Sequence, residues 1–291
     1  MIGLLKLIRF LSYSNIWVSL GAAFFTASTY VQFQTEINWL VCFFVFSSCL
    51  AAYNFQRVFR EKSIYGGPKS ARHKWILRHK LLLWGLTAFG LAGSSVLFFI
   101  DMSWHVVGLI FALALICFVY VLPIFYLKNK WYRLRDIPFI KPIIIAFVWV
   151  SACVYFPVYV SDIQANNLQL ATTFLLKALF IIAIALPFDI RDVKHDIHYG
   201  TLTIPSIWGA QNTIKIIHFL VLFASVVSLF AWQQNAVSIA VLNAYLVSFF
   251  SVAWLAHRIN KPQGELYFSF VIDGALLDHF VWFVLMNAWF S

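Results

Sequence analysis

Charge is the scarcest thing in this sequence. Asp, Glu, Lys and Arg make up 11% of its 291 residues, against 62% hydrophobic residues, and mean hydropathy is +0.83. Those values exclude an ordinary soluble domain. Cysteine is scarce as well. Cys42, Cys49, Cys117 and Cys153 all lie in apolar runs without metal-ligand spacing, which excludes a disulfide framework and a thiolate metal site. Ten-residue segments of alternating hydrophobicity are missing, which excludes a membrane β-barrel. A nucleophile–base pairing, a glycine-rich phosphate loop and a nucleic-acid motif are also missing, so the net charge of +10 is expected to serve topology and not nucleic acid. Linkers and low-complexity tracts are absent. Residues 1–291 are therefore expected to form one transmembrane domain.

What is present is a series of apolar runs, each about 20 residues long and able to cross a bilayer as a helix. Nine are expected, at about 13–33, 38–58, 81–100, 104–126, 138–160, 168–188, 213–232, 236–257 and 266–288. The fold class is thus an all-α integral membrane protein. Lys6 and Arg9 precede the first run, which is read as a retained helix and not as a signal peptide. Residues 59–80 and 189–212 are expected as two longer polar connections, and Asp101 as a tight turn. Basic residues concentrate on one side of this layout, while the opposite loops carry only Glu36, Asp101 and Asp162. The positive-inside rule then puts the amino terminus in the cytoplasm and the carboxyl terminus outside, in a cytoplasmic membrane. Trp39, Trp104, Trp131, Trp232 and Trp289 fall near span ends, where indole belongs. Lys177 alone breaks the segregation. Snorkelling toward the outer surface, or an ion pair with the depth-matched Asp278, would relieve its cost.

Three of the eleven acidic residues fall in the stretch from Asp189 to Asp196, directly after an apolar run. On a helix, Asp189, Asp192 and Asp196 occupy about 60° of arc. Three carboxylates on one face repel unless a positive group sits among them. A divalent cation is the simplest candidate, and Mg²⁺ held by few carboxylates usually brings a phosphate ligand. A solvated helix cap is the plain alternative. His195 and His198 lie beside the aspartates, but an oxygen-rich set suits Mg²⁺ better than zinc. Asp273 and Asp278 are intramembrane acids and candidates by position.

The run Asp189-x-x-Asp192-x-x-x-Asp196, followed by Tyr199-Gly200-Thr201-Leu202-Thr203-Ile204-Pro205 and Gly209, closely resembles the second aspartate-rich motif of the UbiA superfamily of intramembrane prenyltransferases. Tyr120-Val121-Leu122-Pro123 with Lys128 resembles the superfamily's loop between spans four and five. The resemblance implies a UbiA-type helical bundle and an Mg²⁺-dependent prenyltransferase. Its partners would be an isoprenyl diphosphate, a lipophilic acceptor of aromatic, quinone or lipid type, and the bilayer. It implies catalytic and metal-binding roles for Asp189, Asp192 and Asp196. It implies diphosphate binding by Asn54, Arg57, Arg60, Lys62, Arg72, Lys128 and Arg191. The superfamily's first motif, implied as Asn-Asp-x-x-Asp-x-x-x-Asp at the end of span two, is altered: Asn54 is kept, but Phe55, Val58 and Lys62 stand at the acidic positions. One Mg²⁺ ion, or basic charge from Lys62, Arg57 and Arg60 in place of a metal, would then serve the diphosphate. A relative that binds an isoprenoid lipid, or acts in assembly without chemistry, is the alternative. The turn at Gly66-Gly67-Pro68 offers a lid over the site.

Overall fold

The computed structural model describes residues 2–60, 71–100, 104–122, 125–127, 130–132, 134, 137, 139–198 and 201–290. It is helical almost throughout. In chain order the helices are α1 (Ile2–Tyr13), α2 (Ile16–Gln32), α3 (Trp39–Arg60), α4 (Ala71–Arg78), α5 (Lys80–Ile100) and α6 (Trp104–Val121). Then follow α7 (Ile140–Val150), α8 (Phe156–Val160), α9 (Asn167–His198), α10 (Ile204–Gln233), α11 (Ile239–Arg258) and α12 (Ala275–Phe290). Six rods among the described residues are long and apolar enough to cross a membrane: Trp39–Val58, Ile140–Val160, Asn167–Ile197, Ile204–Gln233, Ile239–Arg258 and Tyr267–Phe290. Two shorter apolar helices, Lys80–Val96 and Val106–Tyr120, accompany them. The protein is an integral membrane protein.

Several elements depart from the sequence reading. The run expected at 104–126 stops at Val121, where Leu122 precedes a proline and so disfavours the helical region. A short antiparallel ribbon follows, β1 (Phe125–Leu127) on β2 (Lys130–Tyr132). Helix α1 was not expected as a separate element. Its Leu4, Leu5 and Leu7 are exposed beside Lys6 and Arg9, the composition of a helix lying in the membrane interface. The polar connection expected at 189–212 is mostly helix. Helix α9 runs on to His198, because Ile190, Val193 and Ile197 extend its apolar pattern and no breaker intervenes. Pro187 removes one rung of the hydrogen-bond ladder just before Asp189. The connection expected at 59–80 contains α4, whose Trp75 packs edge-on against Phe10 and Tyr13 of α1. The turn at Asp101 and the lid at Gly66-Gly67-Pro68 lie outside the described residues.

Close helix packing rests on small residues. A Cβ on Gly90 of α5 would come within 2.6 Å of the Ser47 carbonyl oxygen of α3, and one on Gly93 within 2.6 Å of the Ser47 hydroxyl. Helix pairs in membranes use small residues for such approach. Two rods widen locally to π-helix, at Ser151–Tyr155 between α7 and α8 and at Tyr267–Ile272 ahead of α12. Widening turns carbonyls outward, and both segments offer one to α2. Thr29 donates to the Cys153 carbonyl at 2.7 Å, and the Trp17 indole to the Phe270 carbonyl at 2.8 Å.

Mid-span aromatics pack here against one another. Phe25, Phe180, Tyr245, Phe249 and Phe283 are fully buried, and rings of Phe25, Phe180, Tyr245 and Phe283 surround His279. Lys177 is also fully buried. Its ammonium donates to the Phe25 carbonyl at 3.0 Å, the Ser28 hydroxyl at 2.8 Å and the Thr29 hydroxyl at 2.7 Å. It therefore neither snorkels nor pairs with Asp278, which instead accepts from the Trp282 indole at 3.0 Å. Three acceptors from α2, with the Phe25 ring 4.6 Å away, replace the solvation that an outward reach would have supplied.

Candidate functional site

The aspartate-bearing end of α9 meets the starts of α7 and the last rod, and Arg72 of α4 reaches the same rod. Each carboxylate there finds a different environment. Asp189 is buried, with 4% of its side chain exposed, and forms an ion pair with Lys141 of α7. Asp192 is 40% exposed and accepts two hydrogen bonds from its own neighbour, Arg191, at 2.7 and 2.9 Å. Asp196 is buried, with the His195 ring nitrogen 3.9 Å away. The shared helical face expected from the spacing is real, since α9 is continuous through all three. Convergence on one point is not: among the described residues, no three His, Cys, Asp or Glu groups form a set that could hold a metal ion. The positive group required among the carboxylates is supplied by side chains. Lys141 bonds Asp189 and also lies within electrostatic reach of Asp192.

A fourth carboxylate joins from the first turn of the last rod. Glu265 pairs with Arg72 of α4 at 3.1 Å and with Arg191 at 3.5 Å. The result is a chain of alternating charge, Arg72–Glu265–Arg191–Asp192, that spans three elements. The Arg191 guanidinium also lies over the rings of Phe188 at 5.1 Å and Phe268 at 5.6 Å, whose centroids are 6.3 Å apart. Such a stack fixes a planar fork for bidentate binding of an oxyanion. Burial and the neighbouring Arg191 pull Arg72 below the ordinary arginine value, with Glu265 opposing them; the guanidinium stays charged.

The other residues implied by the resemblance are placed differently. Asn54 is fully buried and structural. Its amide donates to the carbonyls of Ser14 at 3.0 Å and Leu50 at 3.1 Å, and accepts from Asn15 at 2.8 Å. These bonds lock the α1–α2 joint, where Asn15 holds a left-handed φ of 61°, onto α3. Arg57 donates to the Tyr13 carbonyl at 3.0 Å. Val58 packs with Ile76 and Leu83, and Phe55 meets the rings of Trp84 and Phe118. Two of the three positions that are acidic in the implied first motif are thus spent on packing. Arg60 closes α3, but its side chain, and Lys62 and Lys128 entirely, lie outside the described residues. After the aspartates, the Thr203 N–H at the start of α10 donates to the Ser206 hydroxyl at 2.7 Å, and Gly209 breaks the helix at φ 78°. That is the conformation glycine allows, and it accounts for this part of the motif.

Lys141 and Glu265 were missed as site residues. Lys141 reads as one more topology charge, and its only signal is its place at the start of a span. Glu265 is one of few acids on a basic side, which is the clue that existed. The cavity of about 390 Å³ lined by Leu109, Phe147, Tyr155, Asn167 and Phe174 lies toward the opposite end of α9. Asn167 is about 33 Å from Asp189 at a rise of about 1.5 Å per residue, so this is not the charged site.

Comparison with solved structures gives matches over nearly the whole chain. A UbiA homolog from Archaeoglobus fulgidus bound to GPP and Mg²⁺ superposes with a TM-score of 0.59 at 13% identity, covering 96% of this chain and 99% of that one. The same homolog bound to DMAPP and Mg²⁺ gives 0.58 at 12% identity, covering 96% and 99%. A digeranylgeranylglyceryl phosphate synthase gives 0.55 at 17% identity, covering 97% and 98%. The chain has the UbiA fold. No family model matches the sequence, and no curated protein matches it significantly. Within the UbiA fold, the charged end of α9 is the candidate site.

Proposed function

We propose that the chain is a UbiA-superfamily prenyltransferase, moving an isoprenyl group from a prenyl diphosphate to a lipophilic acceptor within one nine-span domain. The observation that carries this reading is the cluster of Lys141, Arg191 and Arg72 among the carboxylates of α9, on a fold whose solved relatives are bound to GPP or DMAPP. The bond between the allylic carbon and the diphosphate oxygen breaks, and its electron pair leaves with the diphosphate. Preorganised guanidinium and ammonium groups stabilise that developing charge. The acceptor supplies an electron pair to the allylic carbon and loses a proton. Helical walls around the site exclude the water that would otherwise capture the cation. The basic loops and the site face the cytoplasm, with the amino terminus on the same side. Mg²⁺ was the expected partner of the triad, and the solved relatives are bound to it. The described carboxylates of this chain do not fit a metal as they stand, because Asp189 and Asp192 already hold cations, so the chemistry is routed through the chain's own charges.

The test is incubation of the purified protein with labelled dimethylallyl, geranyl, farnesyl or geranylgeranyl diphosphate and a membrane lipid extract. Release of diphosphate with appearance of a labelled lipid is expected. Binding of a prenyl diphosphate without release would favour the second reading, an isoprenoid-binding protein without chemistry. That reading is supported by the packing of Phe55 and Val58 where acids are implied.

A further inference from the structure

We infer that this chain holds the diphosphate with its own cations and without a divalent ion, Lys141 occupying the place at Asp189 that a metal would take. The inference rests on the reading that the ligand is a prenyl diphosphate. Three observations lead to it. First, Lys141 is bonded to the most buried carboxylate of the motif and acts electrostatically on Asp192 as well, so it sits among the carboxylates as a bound cation would. Second, no metal-capable group of three ligands exists among the described residues. Third, Phe55 and Val58, at two of the three positions where the resemblance implies acids, pack against Trp84, Phe118, Ile76 and Leu83, so neither position supplies a carboxylate.

The exposure of each pair says which ones open. Asp189 is 4% exposed and Lys141 14%, so separating them would leave two charges with little access to water. Asp192 is 40% exposed and Glu265 28%, so both can be hydrated when released. A diphosphate presents the same paired oxygens to guanidinium that a carboxylate does. It therefore exchanges with Glu265 and Asp192 for Arg72 and Arg191, while Lys141 stays on Asp189. Glu265, which touches both arginines, is the group that a phosphate would replace.

The test is equilibrium binding of tritiated geranylgeranyl diphosphate to the full-length protein in detergent, in EDTA and in Mg²⁺. Affinities within about threefold of each other are expected. Asp189→Asn frees the Lys141 ammonium for the ligand and is expected to tighten binding in EDTA by about tenfold, whereas a metal-ligand role for Asp189 predicts loss. Binding that collapses in EDTA overturns the inference and leaves the proposed function standing. Binding retained in EDTA but weakened by Asp189→Asn overturns the place given to Lys141. No binding in either buffer, with the helical circular dichroism of the parent intact, overturns both. Should Asp189→Asn fail to fold, the parent in the two buffers still decides between metal and no metal.

Discussion

Helix α9 carries two buried polar clusters about 18 Å apart at about 1.5 Å per residue, one around Lys177 and one around Asp189. Each contains a lysine, and the two lysines are neutralised by different means. Lys177, fully buried within the bundle, is held by a backbone carbonyl and two hydroxyls of α2. Lys141, at the helix end, is held by a carboxylate. In the interior, dipoles from one neighbouring helix satisfy all three ammonium protons without a second charge. At the membrane edge, full charges of both signs accumulate in an alternating network that a charged ligand can enter. On the proposed reading the interior cluster stays closed, while Arg72 and Arg191 of the edge cluster exchange partners.

The largest effect expected from breaking this contrast is at the edge. Lys141→Ala takes the ammonium from the buried Asp189 and should cost about 3–5 kcal/mol, read as a loss of thermal stability in detergent. Adding Asp189→Leu should recover most of that loss, and failure to recover would mean the pair is not the source. In the interior, Thr29→Val removes an acceptor from Lys177 and the donor to the Cys153 carbonyl. A loss of about 1–3 kcal/mol is expected in the same melt. Lys177→Met replaces the ammonium by an apolar chain of similar length. Ser28 and Thr29 keep their own donor bonds, so stability should change by less than about 1 kcal/mol in either direction. A loss as large as that of Lys141→Ala would erase the distinction between the clusters. Smallest of all, Asp278→Asn should shift stability by less than about 0.5 kcal/mol, the usual range away from critical contacts. Asp278 has no bond to Lys177, and the Trp282 indole can still donate to the amide oxygen.

Much of the site was legible in the sequence, but not its wiring. The spacing of Asp189, Asp192 and Asp196 correctly placed them on one helical face, because helical periodicity is a local property. The same spacing suggested a cation among them, and the cations met at Asp192 and Asp189 are the side chains of Arg191, one residue away, and Lys141. Asn54 illustrates the limit from the other side. Its place at the end of span two was read correctly, yet its amide closes the joint between α1 and α2, a partner 39 or 40 residues distant that no local pattern names.

By itself the sequence determined a membrane protein of apolar helices, a segregated basic side and an acidic stretch at a helix end, since all of these follow from composition and short-range periodicity. Only the tertiary structure decided which cation meets which anion. Lys141 lies 48 residues from Asp189, Arg72 lies 193 from Glu265, and Lys177 lies 149 from Ser28. In a low-dielectric interior such pairings carry most of the energy of placing a charge. They depend on how the helices pack, which the local pattern of the chain does not encode.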